Sequence, residues 1–106
     1  MARLRIGLFG GSFNPPHLAH LIVAEQVREQ ARLDQVLWMP CHFPPHKNEG
    51  ELAEPHHRLA MTQLAIEGHP HFAVSDLEIR RGGRSYTIDT LRQLQIHYPV
   101  GEILLI

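Results

Sequence analysis

Eleven residues near the amino terminus, Gly10-Gly11-Ser12-Phe13-Asn14-Pro15-Pro16-His17-Leu18-Ala19-His20, have the types and spacing of a phosphate-binding turn. Glycine has no Cβ, so Gly10 and Gly11 let the backbone approach a ligand closely. A helix start offers unpaired N–H groups and the positive end of a dipole, both suited to an anion. His17 and His20, three positions apart, fall on one helical face and can both point at one anion. A glycine pair after a strand is most simply a turn. The two prolines and the His-x-x-His are what add chemistry to it.

The elements that must position this segment follow from hydrophobic pattern and breakers. Leu4 to Phe9 reads as a strand stopped by Gly10-Gly11. Asn14 is a suitable N-cap, with Pro15 and Pro16 in the first turn of the helix it opens. Val23, Ala24, Val27 and Ala31 form one stripe of that helix, and His20 begins its buried side. Val36 to Met39 reads as a second strand, in which Trp38 is a core residue, and Pro40 stops it. The loop from Pro40 to Pro55 is long for an α/β connection, which marks it as functional or disordered. A second helix is expected from about Pro55 to Glu67, with Leu59, Ala60, Leu64 and Ile66 supplying its apolar content. Phe72 to Ser75 is a short third strand, and the charged stretch Asp76 to Arg84 ends in Gly82-Gly83. The last helix begins near Ser85 or Thr87 and carries Ile88, Leu91, Leu94 and Tyr98 as its core stripe. Pro99 and Gly101 end it, and Ile103 to Ile106 is a fourth strand. Strands alternating with helices imply an α/β fold on a parallel sheet. The last apolar run reads as a central strand lacking its following helix, so the 106 residues are expected to lack a C-terminal part.

Composition bounds the function. A chain of 106 residues makes one domain at most. Its 10 Lys+Arg against 11 Asp+Glu give a net charge of −1, which argues against nonspecific nucleic-acid or membrane binding and fits a small-molecule site. The single cysteine, Cys41, excludes an internal disulfide framework and suits a reducing cytoplasm. No apolar run approaches the ~20 residues of a membrane span. Nine histidines raise a metal-binding reading. No carboxylate or cysteine stands at recognisable zinc spacing from His17 and His20, and no protein metal site is expected.

The Gly10–His20 segment resembles the signature of the nucleotidyltransferase superfamily of adenylyl- and cytidylyltransferases, G-G-[ST]-F-D-P-x-H-x-G-H. Asn14 stands for the usual Asp and Ala19 for the usual Gly. Pro40-Cys41-His42-Phe43-Pro44-Pro45-His46-Lys47 resembles the P-x-x-x-P-P-H-[KR] loop of bacterial nicotinate mononucleotide adenylyltransferases. Arg58-Leu59-Ala60-Met61 fits their R-x-x-M, and Ser85-Tyr86-Thr87-Ile88-Asp89-Thr90-Leu91 their S-Y-T-x-[DQ]-T-L. The motifs cover the chain in the family's order. The family's later G-x-D and I-S-x-T-x-x-R motifs are absent here.

The resemblance implies a Rossmann-like nucleotidyltransferase fold with helices on both sheet faces, of which residues 1–106 form the N-terminal part. It implies adenylyl transfer from ATP to nicotinate mononucleotide, giving deamido-NAD and pyrophosphate, with magnesium arriving on ATP. His17 and His20 are then the catalytic pair, and Gly10, Gly11, Ser12 and Phe13 hold ATP phosphates. Lys47 and His46 meet the acceptor phosphate, and Tyr86 and Thr87 the nicotinate carboxylate. A solvated lysine and an ordinary helix cap are the plain alternatives for Lys47 and for Tyr86-Thr87. Another acceptor (phosphopantetheine or nicotinamide mononucleotide) and a non-catalytic nucleotide-binding fragment are the rival functions. The 106 residues alone are expected to show little or no turnover, and a homo-oligomer stays open.

Overall fold

The computed structural model describes residues 3–45 and 52–106. Four parallel strands, β1 (Arg5–Gly11), β2 (Gln35–Pro40), β3 (Phe72–Val74) and β4 (Glu102–Leu105), form one sheet in the order β3-β2-β1-β4. The helices are α1 (Leu18–Ala31), α2 (Pro55–Ile66), α3 (Leu77–Arg81) and α4 (Thr87–His97). Successive strand residues face opposite sides, and this chain uses both. Val36, Trp38 and Phe72 pack with Ala24 of α1 and Ile66 of α2, whereas Ile6, Leu8, Leu37 and Met39 pack with Leu77 of α3 and Leu94 of α4. Apolar residues on both faces of β1 and β2 are what a sheet covered twice demands. Trp38 is fully buried, as a core residue should be. The chain leaves β1 for β2 on one side and returns to β4 on the other. That reversal opens a crevice at the C-terminal ends of β1 and β4, the usual ligand position in such sheets.

Several elements depart from the pattern-based expectation, each for a local reason. Asn14 does not cap α1; the helix begins at Leu18 with His17 as its N-cap. Asn14 and Pro15 both precede a proline, which disfavours helical backbone at each. The Asn14 Oδ1 instead accepts the Ala53 N–H at 3.1 Å. The charged stretch after β3 contains a five-residue helix, α3, which buries Leu77, Glu78 and Ile79. The buried face of α2 is Arg58, Thr62 and Ile66, at four-residue intervals, while Leu64 is 70% exposed. Ile88 lies exposed on α4, so the buried line there runs through Thr90 and Leu94. Among the described strands the run Ile103 to Ile106 is not central: β4 lies at the sheet edge and pairs with β1 alone, while β1 and β2 are the inner strands.

Candidate active site

At the end of β1 the chain must turn sharply over the sheet to start α1. Phe13 makes that turn with φ 48°, a left-handed backbone that costs a bulky residue about 1–3 kcal/mol. Its ring offsets this by burial to 2% exposure, edge-on to Phe9 at 5.4 Å and against Trp38 at 5.2 Å between centroids. The ring therefore belongs to the core, and only the Phe13 backbone can serve a ligand. It also explains Gly11: a Cβ there would lie 3.3 Å from the Phe13 ring. At Gly10 a Cβ would meet nothing within 4 Å, so the fold itself leaves that space open.

His17 and His20 come together at the start of α1, their ring centroids 4.0 Å apart. The His17 backbone N–H donates to His20 Nδ1 at 3.0 Å. An accepting Nδ1 leaves the neutral imidazole its one hydrogen on Nε2. Burial first, and the neighbouring His17 second, hold the His20 pKa below its usual value. The ring also packs edge-on to Phe13 at 5.2 Å. His20 is thus a fixed neutral donor at pH 7.

The phosphate turn is stapled from below by Arg58, which is fully buried on α2. Its Nη1 donates to Ser12 O at 3.0 Å and to Cys41 O at 2.7 Å, its Nη2 to His42 O at 2.8 Å, and its Nε to Ala53 O at 2.9 Å. One planar guanidinium so joins the ends of β1 and β2 to the start of α2. Hydropathy places an arginine on the surface; the only signal for its burial is its place in the R-x-x-M segment.

Beside the turn lies a cavity of about 340 Å³, lined by Gly10, Gly11 and Ser12 from the end of β1, Cys41 after β2, and Glu78, Ser85 and Thr87 from the α3–α4 region. The α4 start has no side-chain cap, although Ser85 and Thr87 are the residue types that cap well. Ser85 is occupied elsewhere: its Oγ accepts the His42 N–H at 2.9 Å, and its own N–H donates to Phe43 O at 2.8 Å. Thr87 reaches the cavity wall, whereas Tyr86 is 49% exposed and stands outside it. His46 and Lys47 lie outside the described residues. Arg84 sits over the Phe43 ring at 4.8 Å and donates to Pro45 O at 2.6 Å, which ties the Pro44-Pro45 loop to the α4 approach. A larger groove of about 550 Å³, between Leu59, Leu77, Arg80 and Leu94, touches none of the motif residues except Leu59. Among the described residues no three His, Cys, Asp or Glu side chains converge on a point where a metal could sit.

Pattern reading missed Glu78. It is 7% exposed, and its Oε2 accepts the Thr90 hydroxyl at 2.6 Å. Burial pushes its pKa up, against the lowering by the Thr90 hydroxyl, the Arg81 charge and the Ser85 hydroxyl. A carboxyl raised in the fold contributes stability that is full below its unfolded pKa and lost as pH rises through the folded value. The Glu78→Gln variant is therefore expected to gain on the wild type in urea midpoint between pH 5 and pH 8. Parallel midpoints across that range would show that Glu78 is not held above its ordinary value.

Residues 8–105 match the sequence profile described as Cytidylyltransferase-like. A probable nicotinate-nucleotide adenylyltransferase of Salinibacter ruber is 55% identical over 103 residues, covering 97% of this chain and 53% of that protein. One of a Synechococcus strain (JA-3-3Ab) is 59% identical over 95 residues, covering 90% of this chain and 46% of that protein. The chain spans about half the length of these curated relatives. Among solved structures, a Plasmodium falciparum nicotinic acid mononucleotide adenylyltransferase complexed with NaAD superposes with a TM-score of 0.79 at 24% identity, over 95% of this chain and 50% of that one. That likeness carries the fold: four parallel strands, helices on both faces and a glycine turn feeding a helix. Since the family profile spans nearly all of the residues that build the turn and the cavity, this chain belongs to the cytidylyltransferase-like family.

Proposed function

We propose that the chain forms the part of a nicotinate-nucleotide adenylyltransferase that holds ATP phosphates and receives the acceptor mononucleotide. One observation carries this reading: the open space at Gly10 belongs to a cavity whose wall Gly11 and Ser12 of the glycine turn and Thr87 of α4 also form. The names of the two bacterial relatives support the choice of acceptor.

In this reading an oxygen of the nicotinate mononucleotide phosphate attacks the α-phosphorus of ATP. The bond from that phosphorus to the bridging oxygen breaks, and pyrophosphate leaves with its electron pair. No protein nucleophile enters. The chain's work is positioning and charge stabilisation. Backbone N–H groups of Gly11, Ser12 and Phe13 and the Ser12 hydroxyl face the phosphates, and His17 and His20 donate to the charge that develops on them. The uncapped N–H groups at the α4 start, with Thr87 and the half-exposed Tyr86, receive the nicotinate carboxylate. His46 and Lys47 meet the acceptor phosphate. ATP enters as its magnesium complex, with the ion held by phosphate oxygens and water.

Calorimetric titration of the chain with ATP, nicotinate mononucleotide, nicotinamide mononucleotide and phosphopantetheine tests the reading. ATP and nicotinate mononucleotide are expected to bind; selective binding of phosphopantetheine would reject it. Gly10→Ala gives a second test. Its added methyl meets no protein atom, so thermal stability should not change. A phosphate lying against the turn loses that space, and ATP affinity is expected to fall at least about tenfold. Equal ATP affinity in the two proteins would place the nucleotide elsewhere.

A further inference from the structure

Glu78 is a buried acid that the proposed chemistry does not use, yet it forms part of the cavity wall. Two hydrogen-bonded branches approach it. The His42 N–H donates to Ser85 Oγ at 2.9 Å, and the Ser85 hydroxyl lies near enough to Glu78 to lower its pKa. From the other side, Arg81 Nη2 donates to Thr90 Oγ1 at 3.1 Å, and the Thr90 hydroxyl donates to Glu78 Oε2 at 2.6 Å. Arg81 Nη1 continues to Gln93 Oε1 at 2.7 Å. The Thr90 hydroxyl accepts from the Arg81 guanidinium and so turns its hydrogen to Glu78. The carboxyl is where the two branches meet.

The branches have different anchors. One reaches the loop after β2 through His42 and Ser85. The other reaches the first turns of α4 through Thr90. Between their ends lies Thr87, the residue that brings the α4 start to the cavity. Gly82 and Gly83, with φ of 73° and 68°, form the turn that leads into this α4 start.

We propose that Glu78 is a positioning residue of the acceptor cavity: by accepting the Thr90 hydroxyl it fixes the α4 start at the height where its N–H groups meet an anionic acceptor. The proposal rests on the reading of this cavity as the acceptor site. Burial works against the ionised form of Glu78, so the group persists at a cost in stability that a glutamine or a leucine would not carry.

Three variants test it by calorimetry, each titrated with nicotinate mononucleotide and, separately, with ATP. Glu78→Gln keeps the shape and puts a weaker, neutral acceptor before the Thr90 hydroxyl. Thr90→Val cuts the α4 branch at constant shape and leaves Glu78 in place. Glu78→Leu removes the acceptor. Loss of the Thr90–Glu78 hydrogen bond should weaken nicotinate mononucleotide about tenfold in Thr90→Val and Glu78→Leu, and less in Glu78→Gln, with ATP within about twofold throughout. Thermal melting at pH 8 gives the readout that a structural role would not produce: Glu78→Gln should be no less stable than the wild type while binding acceptor less well. Equal weakening of both ligands, or acceptor loss that merely follows the melting temperature, overturns the proposal. So does unchanged acceptor affinity in Thr90→Val, which decides the matter if the Glu78 variants do not fold. A wild type that binds ATP but no nicotinate mononucleotide rejects the reading of the cavity itself, and Glu78 with it.

Discussion

Replacing Arg58 with methionine is expected to unfold the chain, or to leave it melting many degrees below the wild type. The guanidinium is fully buried and donates to four backbone carbonyls, those of Ser12, Cys41, His42 and Ala53. Among the described residues it has no carboxylate partner, so these carbonyl dipoles are what compensate its charge. Methionine fills a similar volume and satisfies none of them. Each buried carbonyl left without a donor costs about 1–3 kcal/mol. Two such losses consume a large part of the ~5–15 kcal/mol that holds a small domain together. Lysine tests the geometry separately from the charge, since a point ammonium cannot span four acceptors that a planar fork reaches. Thermal and urea unfolding followed by circular dichroism should rank wild type above Arg58→Lys and Arg58→Lys above Arg58→Met. An Arg58→Met protein that melts within a few degrees of the wild type would mean that the carbonyls find other partners.

Arg58 also shows what kind of information a sequence withholds. The strands were legible because a sheet covered on both faces leaves a purely local mark: Val36 and Trp38 face one side, Leu37 and Met39 the other, and all four are apolar. The glycine turn and the two histidines were legible for the same reason, since their meeting depends on spacing within one segment. The buried face of α2 was not, because an arginine and a threonine look like surface residues until their partners are known. The partners of Arg58 come from 46, 17, 16 and 5 residues away. Glu78 has the same character: its bond to Thr90 spans 12 residues, from within a stretch that pattern marks only as charged. Hydrophobic pattern finds apolar cores and misses polar ones, whose members are kept inside by distant donors and acceptors.

His20→Ala should produce the largest functional loss of any single change, and its pH behaviour distinguishes its cause. The His17 N–H already occupies His20 Nδ1, and protonating that nitrogen would set two donors against each other. Burial and the nearby His17 act in the same direction and lower its pKa. A group whose folded pKa is depressed contributes stability that is present above its unfolded value, about 6.5, and lost as pH falls through the folded value. Wild-type stability is therefore expected to decline as the pH is taken down from 7 through that range. Part of that slope should vanish in His20→Ala, because the variant has no such proton to take up. Removing His17 removes a lowering influence, so in His17→Ala the His20 titration should move up towards 6.5; proton NMR of the ring reads it directly. For the ligand, loss of the neutral Nε2–H donor should weaken ATP, and where turnover is measured it should lower kcat by about 10²–10³. A structural histidine gives the opposite split, with stability lost and ATP affinity retained. The two rings 4.0 Å apart at a helix start would then be packing partners, and the phosphate site would have to be sought along the Gly10–Phe13 backbone alone.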